Sequence, residues 1–189
     1  LKTARRSMNL LTIEWANRGI NMWTIDEGFI NLVQGTATYD LPAATIDLIE
    51  QVIRTNAGSA TLQSDLNLSR ISVSTYSSVP NKLTQGRPIQ VWVDRLRDNP
   101  TVTLWPVPDQ GTALAPYYVL RYWRLRRIQD AGAGVETPDM NFRFFPALVA
   151  GLAYYIATKI PELMPRIEML KGQYDEQYAL AAGEDREKA

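Results

Sequence analysis

Thr137-Pro138-Asp139-Met140-Asn141-Phe142-Arg143-Phe144-Phe145-Pro146-Ala147-Leu148-Val149-Ala150-Gly151-Leu152-Ala153-Tyr154-Tyr155-Ile156-Ala157-Thr158-Lys159 decides how the chain is organised. Pro138-Asp139 prepares a helix start, and the spacing predicts a helix from about Phe142 to Lys159. Phe145, Leu148, Leu152, Tyr155 and Ile156 would form a broad apolar face. Gly151 and the alanines allow a neighbouring helix to come close. Ile160-Pro161 breaks the pattern, and Pro161 suits the first turn of a last helix. Met164, Ile167, Leu170, Tyr174, Tyr178 and Ala181 then recur at steps of three and four. Gly183-Glu184-Asp185-Arg186-Glu187-Lys188 lacks an apolar stripe and is expected to fray or wait for a partner.

At the other end, residues 4–18 read as an amphipathic helix. Met8, Leu11 and Trp15 form its stripe, Leu10 and Ile13 widen it, and Gly19 is placed as the C-terminal cap. This stripe must be buried, and the C-terminal helices are the expected partners. Between the two ends the period changes to that of strands. Trp23 to Val33 and Ala37 to Leu41 read as a hairpin that Pro42 ends. Leu48 to Arg54 is a strand by its β-branched content, and Thr61 to Leu68 holds one short strand. Ser69 to Tyr76 reads as a short helix capped by Ser72. Ile89 to Leu96 and Thr101 to Trp105 form a second hairpin around Arg97-Asp98-Asn99-Pro100. Tyr117 to Arg126 is expected to be the longest strand. Ile128 to Thr137 is expected to be an exposed loop. With helices at both ends and strands in the middle, the fold class is α+β. A helical bundle (1–22 with 128–189) accompanies a central antiparallel β-rich lobe (23–127).

Composition narrows the chemistry. The 189 residues are 46% apolar, enough for a real core. Lys plus Arg and Asp plus Glu both number 20, so the formal net charge is zero and bulk attraction to nucleic acid is not expected. There is no Cys and no His. That removes disulfides, thiolate chemistry, the Ser-His-Asp arrangement and nearly every zinc site. No secretory signal or membrane span is read, and no cofactor is expected. The chain begins at Leu1 rather than Met, so residues ahead of it in the gene product are expected.

Few residues carry candidate chemistry. Asp26 and Glu27 are adjacent, so on a strand they point to opposite faces and cannot form one acid–base pair together. Either would need to meet Glu14 or Asp94. Asp130, Glu136 and Asp139 are candidate cation ligands, but their spacing matches no calcium loop. Gly132-Ala133-Gly134 lacks the lysine and the strand-to-helix setting of a phosphate cradle. Arg121, Arg124, Arg126 and Arg127 interleave with Tyr122, Trp123 and Leu125. This is either a cationic strip for nucleic acid or an edge strand whose charges pair with acidic neighbours. The zero net charge favours pairing.

Several stretches, in order, resemble the head-to-tail adaptor (connector) proteins of tailed bacteriophages, especially short-tailed ones. They are Trp15-Ala16-Asn17-Arg18-Gly19, Trp23-Thr24-Ile25-Asp26-Glu27, and Gly35 with Tyr39-Asp40-Leu41-Pro42. Gly86-Arg87-Pro88 with Val93-Asp94-Arg95, and Leu104-Trp105-Pro106-Val107-Pro108-Asp109, follow. Arg121-Tyr122 leading to Asp130, and Pro138-Asp139 through Phe144, Ala147-Leu148 and Leu152-Ala153, complete the set. The resemblance implies a structural virion protein at the head–tail junction, made in the host cytoplasm and not an enzyme. It implies a homo-oligomeric ring, commonly of twelve subunits, beneath the portal protein. Such a ring extends or seals the DNA channel and docks a downstream tail or nozzle protein. Non-specific contact with double-stranded viral DNA is compatible with it; a membrane partner is not implied. Within that frame Arg121, Arg124, Arg126 and Arg127 are candidate channel-lining residues. Gly183, Glu184, Asp185, Arg186, Glu187 and Lys188 are a candidate portal-docking tail. Two other readings compete. One is a carboxylate-based hydrolase of cell-wall glycan using Glu14, Asp26 or Glu27. The other is a stand-alone β-rich nucleic-acid binder.

Overall fold

The structure, a computed structural model, describes residues 2–20, 24–128 and 140–184. The chain divides into two compact units, one of residues 1–24 with 127–189 and one of residues 25–126. The fold is α+β, with terminal helices and a strand-rich middle.

The helical unit contains α1 (Lys2–Asn17), α3 (Phe145–Ala157) and α4 (Ile167–Glu184); α2 belongs to the other unit. Short 3-10 turns at Phe142–Phe144 and Pro161–Arg166 lead into α3 and α4. Leu11, Trp15, Phe144, Ala147, Leu148, Tyr174 and Ala181 form its core. The amphipathic helices of the two chain ends therefore do pack on each other. Trp15 Nε1 donates to Tyr174 Oη at 2.9 Å, so the indole and the phenol satisfy one another inside the core. Gly151 makes this closeness possible: a Cβ there would sit 2.8 Å from Leu11 Cδ2 and 2.9 Å from Tyr174 Cε2. Gly19 takes φ +87°, the left-handed conformation that ends α1.

Two expected faces are corrected. Leu10 and Ile13 do not widen the buried stripe of α1; they are 43% and 53% exposed, while Ser7 and Thr12 are buried. Ser7 tolerates burial because Lys159 Nζ donates to its Oγ at 2.6 Å, and Thr12 Oγ1 donates to the Asn9 carbonyl at 2.9 Å. On α3 the buried side is Ala147, Leu148, Gly151 and Ala157, with Phe145 37% exposed. Small residues win the inner side because a close helix–helix approach leaves no room for large ones.

The second unit holds two four-stranded sheets. One orders β1 (Ile25–Asn31), β8 (Tyr118–Arg126), β3 (Thr45–Thr55) and β4 (Ser64–Asn67). The other orders β2 (Thr38–Asp40), β7 (Thr101–Trp105), β6 (Gln90–Asp94) and β5 (Ser69–Arg70). All pairs are antiparallel except β5 with β6. Inward residues of both sheets share one core, including Leu48, Ile53, Val91, Val102, Leu104, Leu120 and Tyr122. Gly28 faces Tyr122 across the β1–β8 ladder, and a Cβ on it would lie 2.5 Å from the Tyr122 ring. The ring thus occupies the space that the glycine leaves.

The second expected hairpin, β6–β7, is present. The first is not: β1 pairs with β8 and β2 with β7, so Gln34-Gly35-Thr36 carries the chain from one sheet to the other. Local alternation reports a strand but not its partner. The longest strand is β3 with 11 residues, not β8 with 9. Two irregularities in the β3–β8 register, at Thr45/Asp47 and Leu48/Glu50, break its alternation and hid its start. Ser72 does cap a helix, α2 (Val73–Ser77), accepting from the Thr75 amide, but Ser69–Arg70 before it is a strand.

Candidate functional site

β8 lies inside its sheet, between β1 and β3, so it is not the edge strand that its charges suggested. Its alternation also divides the arginines. Tyr118, Leu120 and Tyr122 face the shared core, and Arg124 and Arg126 follow them on the same side, past the end of that core. Arg121 lies on the opposite side with Val119, Trp123 and Leu125. The four arginines therefore do not make one continuous strip.

Each described pairing uses a carboxylate of β1. Arg124 donates to Asp26 Oδ2 at 3.3 Å and to Thr45 Oγ1 at 3.0 Å. Arg126 Nε meets the same Asp26 oxygen at 3.0 Å. Arg121 pairs with Glu27 on the other face. Its Nε is buried without a hydrogen-bond partner in the structure. Arg124 and Arg126 are only 15% exposed, so Asp26 offsets charge that has lost much of its water. Arg127 follows the strand and is exposed. A pocket of about 470 Å³ lies beside Arg121, with Phe29, Val119 and Pro116 as apolar wall and Arg54 across from it. Arg54 is forked onto Asp65 at 2.7 and 2.6 Å, which holds the Asp65 carboxyl below its ordinary pKa. Both guanidinium groups at this pocket are thus ion-paired, and of their nitrogens Arg121 Nε is the one buried without a hydrogen-bond partner.

A second cluster escaped sequence reading. Asp47 meets Arg70 at 2.5 Å and Arg95 at 3.1 Å, and Arg70 also donates to the Leu48 carbonyl at 3.1 Å. These residues come from β3, β5 and the β6–β7 turn, so no local spacing announces them.

The two adjacent candidate acid–base residues of β1 do not converge. Asp26 and Glu27 sit on opposite faces of β1, each held by arginine. Glu14 belongs to the helical unit, where it pairs with Arg18 and accepts from Tyr155 Oη at 2.5 Å. That bond adds to burial in pushing the Tyr155 phenol up to about 12. Asp94 ends β6, opposite Thr101. Among the described residues no group of three metal-binding side chains gathers. Asp130, Glu136 and Asp139, with the loop expected around them, lie outside the described residues.

Gly183 and Glu184 continue α4 instead of fraying. Ala181 is buried and Ala182 packs half-buried against the helical core, and adding residues to a formed helix is cheap. Asp185, Arg186, Glu187 and Lys188 lie outside the described residues. No helix among the described residues is long and apolar enough to cross a membrane.

Comparison with known proteins gives one family. The family model described as SU10 adaptor protein matches residues 3–189. No curated protein matches the chain.

Proposed function

This chain belongs to the SU10 adaptor protein family, and from that premise we propose that it is a head-to-tail adaptor of a phage virion. Copies of the chain form a ring, of twelve subunits in this reading, beneath the portal protein. The ring extends or seals the DNA channel and presents a docking platform for a downstream tail or nozzle protein. It works through contacts rather than turnover.

The observation that carries this reading is the family match over nearly the whole chain, which takes in both units. Two features support it. Asp26 and Glu27 lie on opposite faces of β1, and they and Glu14 are each tied to an arginine, which does not suit the free paired carboxyls of glycan hydrolysis. Large apolar side chains stand exposed in both units, among them Phe29 at 69%, Phe142 at 70% and Val149 at 67%, which suits a part of a larger assembly. Arg124 and Arg126 on one side of β8, or Arg121 on the other, remain the candidate channel lining with the exposed Arg127. Three of them share their charge with Asp26 or Glu27, which suits loose contact with DNA backbone and no sequence preference. Of the candidate portal-docking tail Gly183 to Lys188, Asp185, Arg186, Glu187 and Lys188 remain.

Imaging of whole virions tests the proposal: density for this chain is expected as a ring on the portal axis. Its location in the shell or on fibres, with no axial ring, would overturn it. Removing residues 185–189 is expected to abolish co-sedimentation with portal while leaving the helical signal unchanged. Purified protein is expected not to clear cell-wall glycan; clearing that disappears in Asp26→Ala would restore the enzymatic reading.

A further inference from the structure

The outer faces of α1 and α4 carry opposite charge and matching apolar side chains. On α1, Lys2, Arg6, Leu10, Ile13 and Asn17 recur at steps of four, four, three and four, which places them on one side, away from Leu11 and Trp15. Lys2, Arg5 and Arg6 are all exposed, and none forms an ion pair among the described residues. On α4, Met169, Gln173, Glu176 and Leu180 recur at four, three and four on the side away from Tyr174. Glu168, Asp175 and Glu176 are exposed and likewise form no ion pair. Leu10 and Ile13 are 43% and 53% exposed, and Met169 and Leu180 are 56% and 64% exposed.

On α1, Lys2 and Arg6 are like charges four residues apart on one side, with the exposed Arg5 beside them. On α4, Asp175 and Glu176 are adjacent exposed acids. An antiparallel approach of the two faces brings the basic start of α1 to the acidic second half of α4. Within the helical unit these faces point outward, and their apolar side chains are exposed.

We propose that the basic outer face of α1 docks against the acidic outer face of α4 of a second copy of this chain, with Arg6 and Glu176 facing each other beside Leu10, Ile13, Met169 and Leu180. Charge complementarity between two different surfaces of one molecule selects a second copy as the occupant. Because the surfaces differ, the contact is heterologous, and repeating it builds a ring or a filament rather than a closed pair. The zero net charge of the chain fits a surface that satisfies itself. The proposal rests on the reading that copies of the chain assemble with one another.

Sedimentation of the full chain, alone and with its portal, tests it together with Arg6→Glu, Glu176→Arg and the double variant. Both positions are exposed, and far-UV circular dichroism checks that all variants keep the native helical signal. Each single reversal is expected to raise the concentration needed for assembly by roughly tenfold, and the double variant to recover most of that loss. Assembly of the wild type is expected to weaken with added salt. Single variants that assemble like the wild type would overturn the α1–α4 contact and leave the assembly reading standing. Variants that assemble normally but lose portal attachment would also overturn it, assigning the face to the portal. A wild type that never self-associates, with or without portal, would overturn both.

Discussion

Gly151 shows how much one missing methyl decides. The glycine lies where α3 meets α1 and α4, and Leu11 and Tyr174 fill the space a side chain would need. Gly151→Ala is expected to cost about 1–3 kcal/mol through overpacking, despite the better helix propensity of alanine. Urea unfolding would show this as a lower midpoint; an unchanged midpoint would mean that the helices can part freely. The tyrosines set an alkaline limit at the same scale. Burial, and then hydrogen bonds to Glu14 and Asp109, push Tyr155 and Tyr118 up to about 12. A phenol harder to ionise when folded stabilises the fold below its ordinary value of about 10. That stabilisation is lost as pH rises from there through the folded value. Thermal midpoints are therefore expected to fall between about pH 10 and pH 12, and less steeply in the Tyr118→Phe/Tyr155→Phe variant. Equal slopes in the two proteins would remove these phenols as the cause.

Among the elements, β8 and α3 separate what a local pattern can and cannot say. The alternation along Tyr118 to Arg126 was legible, and it fixes which arginines share a side. Their carboxylate partners come from β1, more than ninety positions away. Only sheet order supplies them. Asp26 serves two arginines, so Asp26→Asn is expected to cost about 1–2 kcal/mol, a figure reduced because Asp26 is 38% exposed. Chemical denaturation at neutral pH would measure it, and a variant as stable as the parent would reduce the pairs to surface decoration. On α3 the expected apolar face is really two faces. The inner one is small and buried. The outer one, Phe145 and Val149, is exposed on a helix without a single charge. Val149→Asp is accordingly expected to change the stability of the isolated chain by no more than about 0.5 kcal/mol. A larger loss, read from the thermal midpoint, would place Val149 inside the fold.

For the whole molecule, two units with separate cores imply two unfolding free energies. Amide hydrogen exchange is expected to give the amides of α1, α3 and α4 one common limiting opening energy, and those of β3 and β8 another. A single value across both sets would mean that the units open together. The sequence by itself determined the segregation of terminal helices from central strands, the caps at Gly19 and Ser72, the β6–β7 hairpin and the ordered set of stretches that points to the adaptor family. All of these depend on neighbours within a few residues or on the order of segments along the chain. Tertiary structure alone decided that β1 and β2 part into different sheets, that Asp26 neutralises two arginines, that Arg70 and Arg95 share Asp47, and that Leu10 and Ile13 stay outside. Each of these is settled by which distant residue arrives opposite, and spacing along a chain does not encode that.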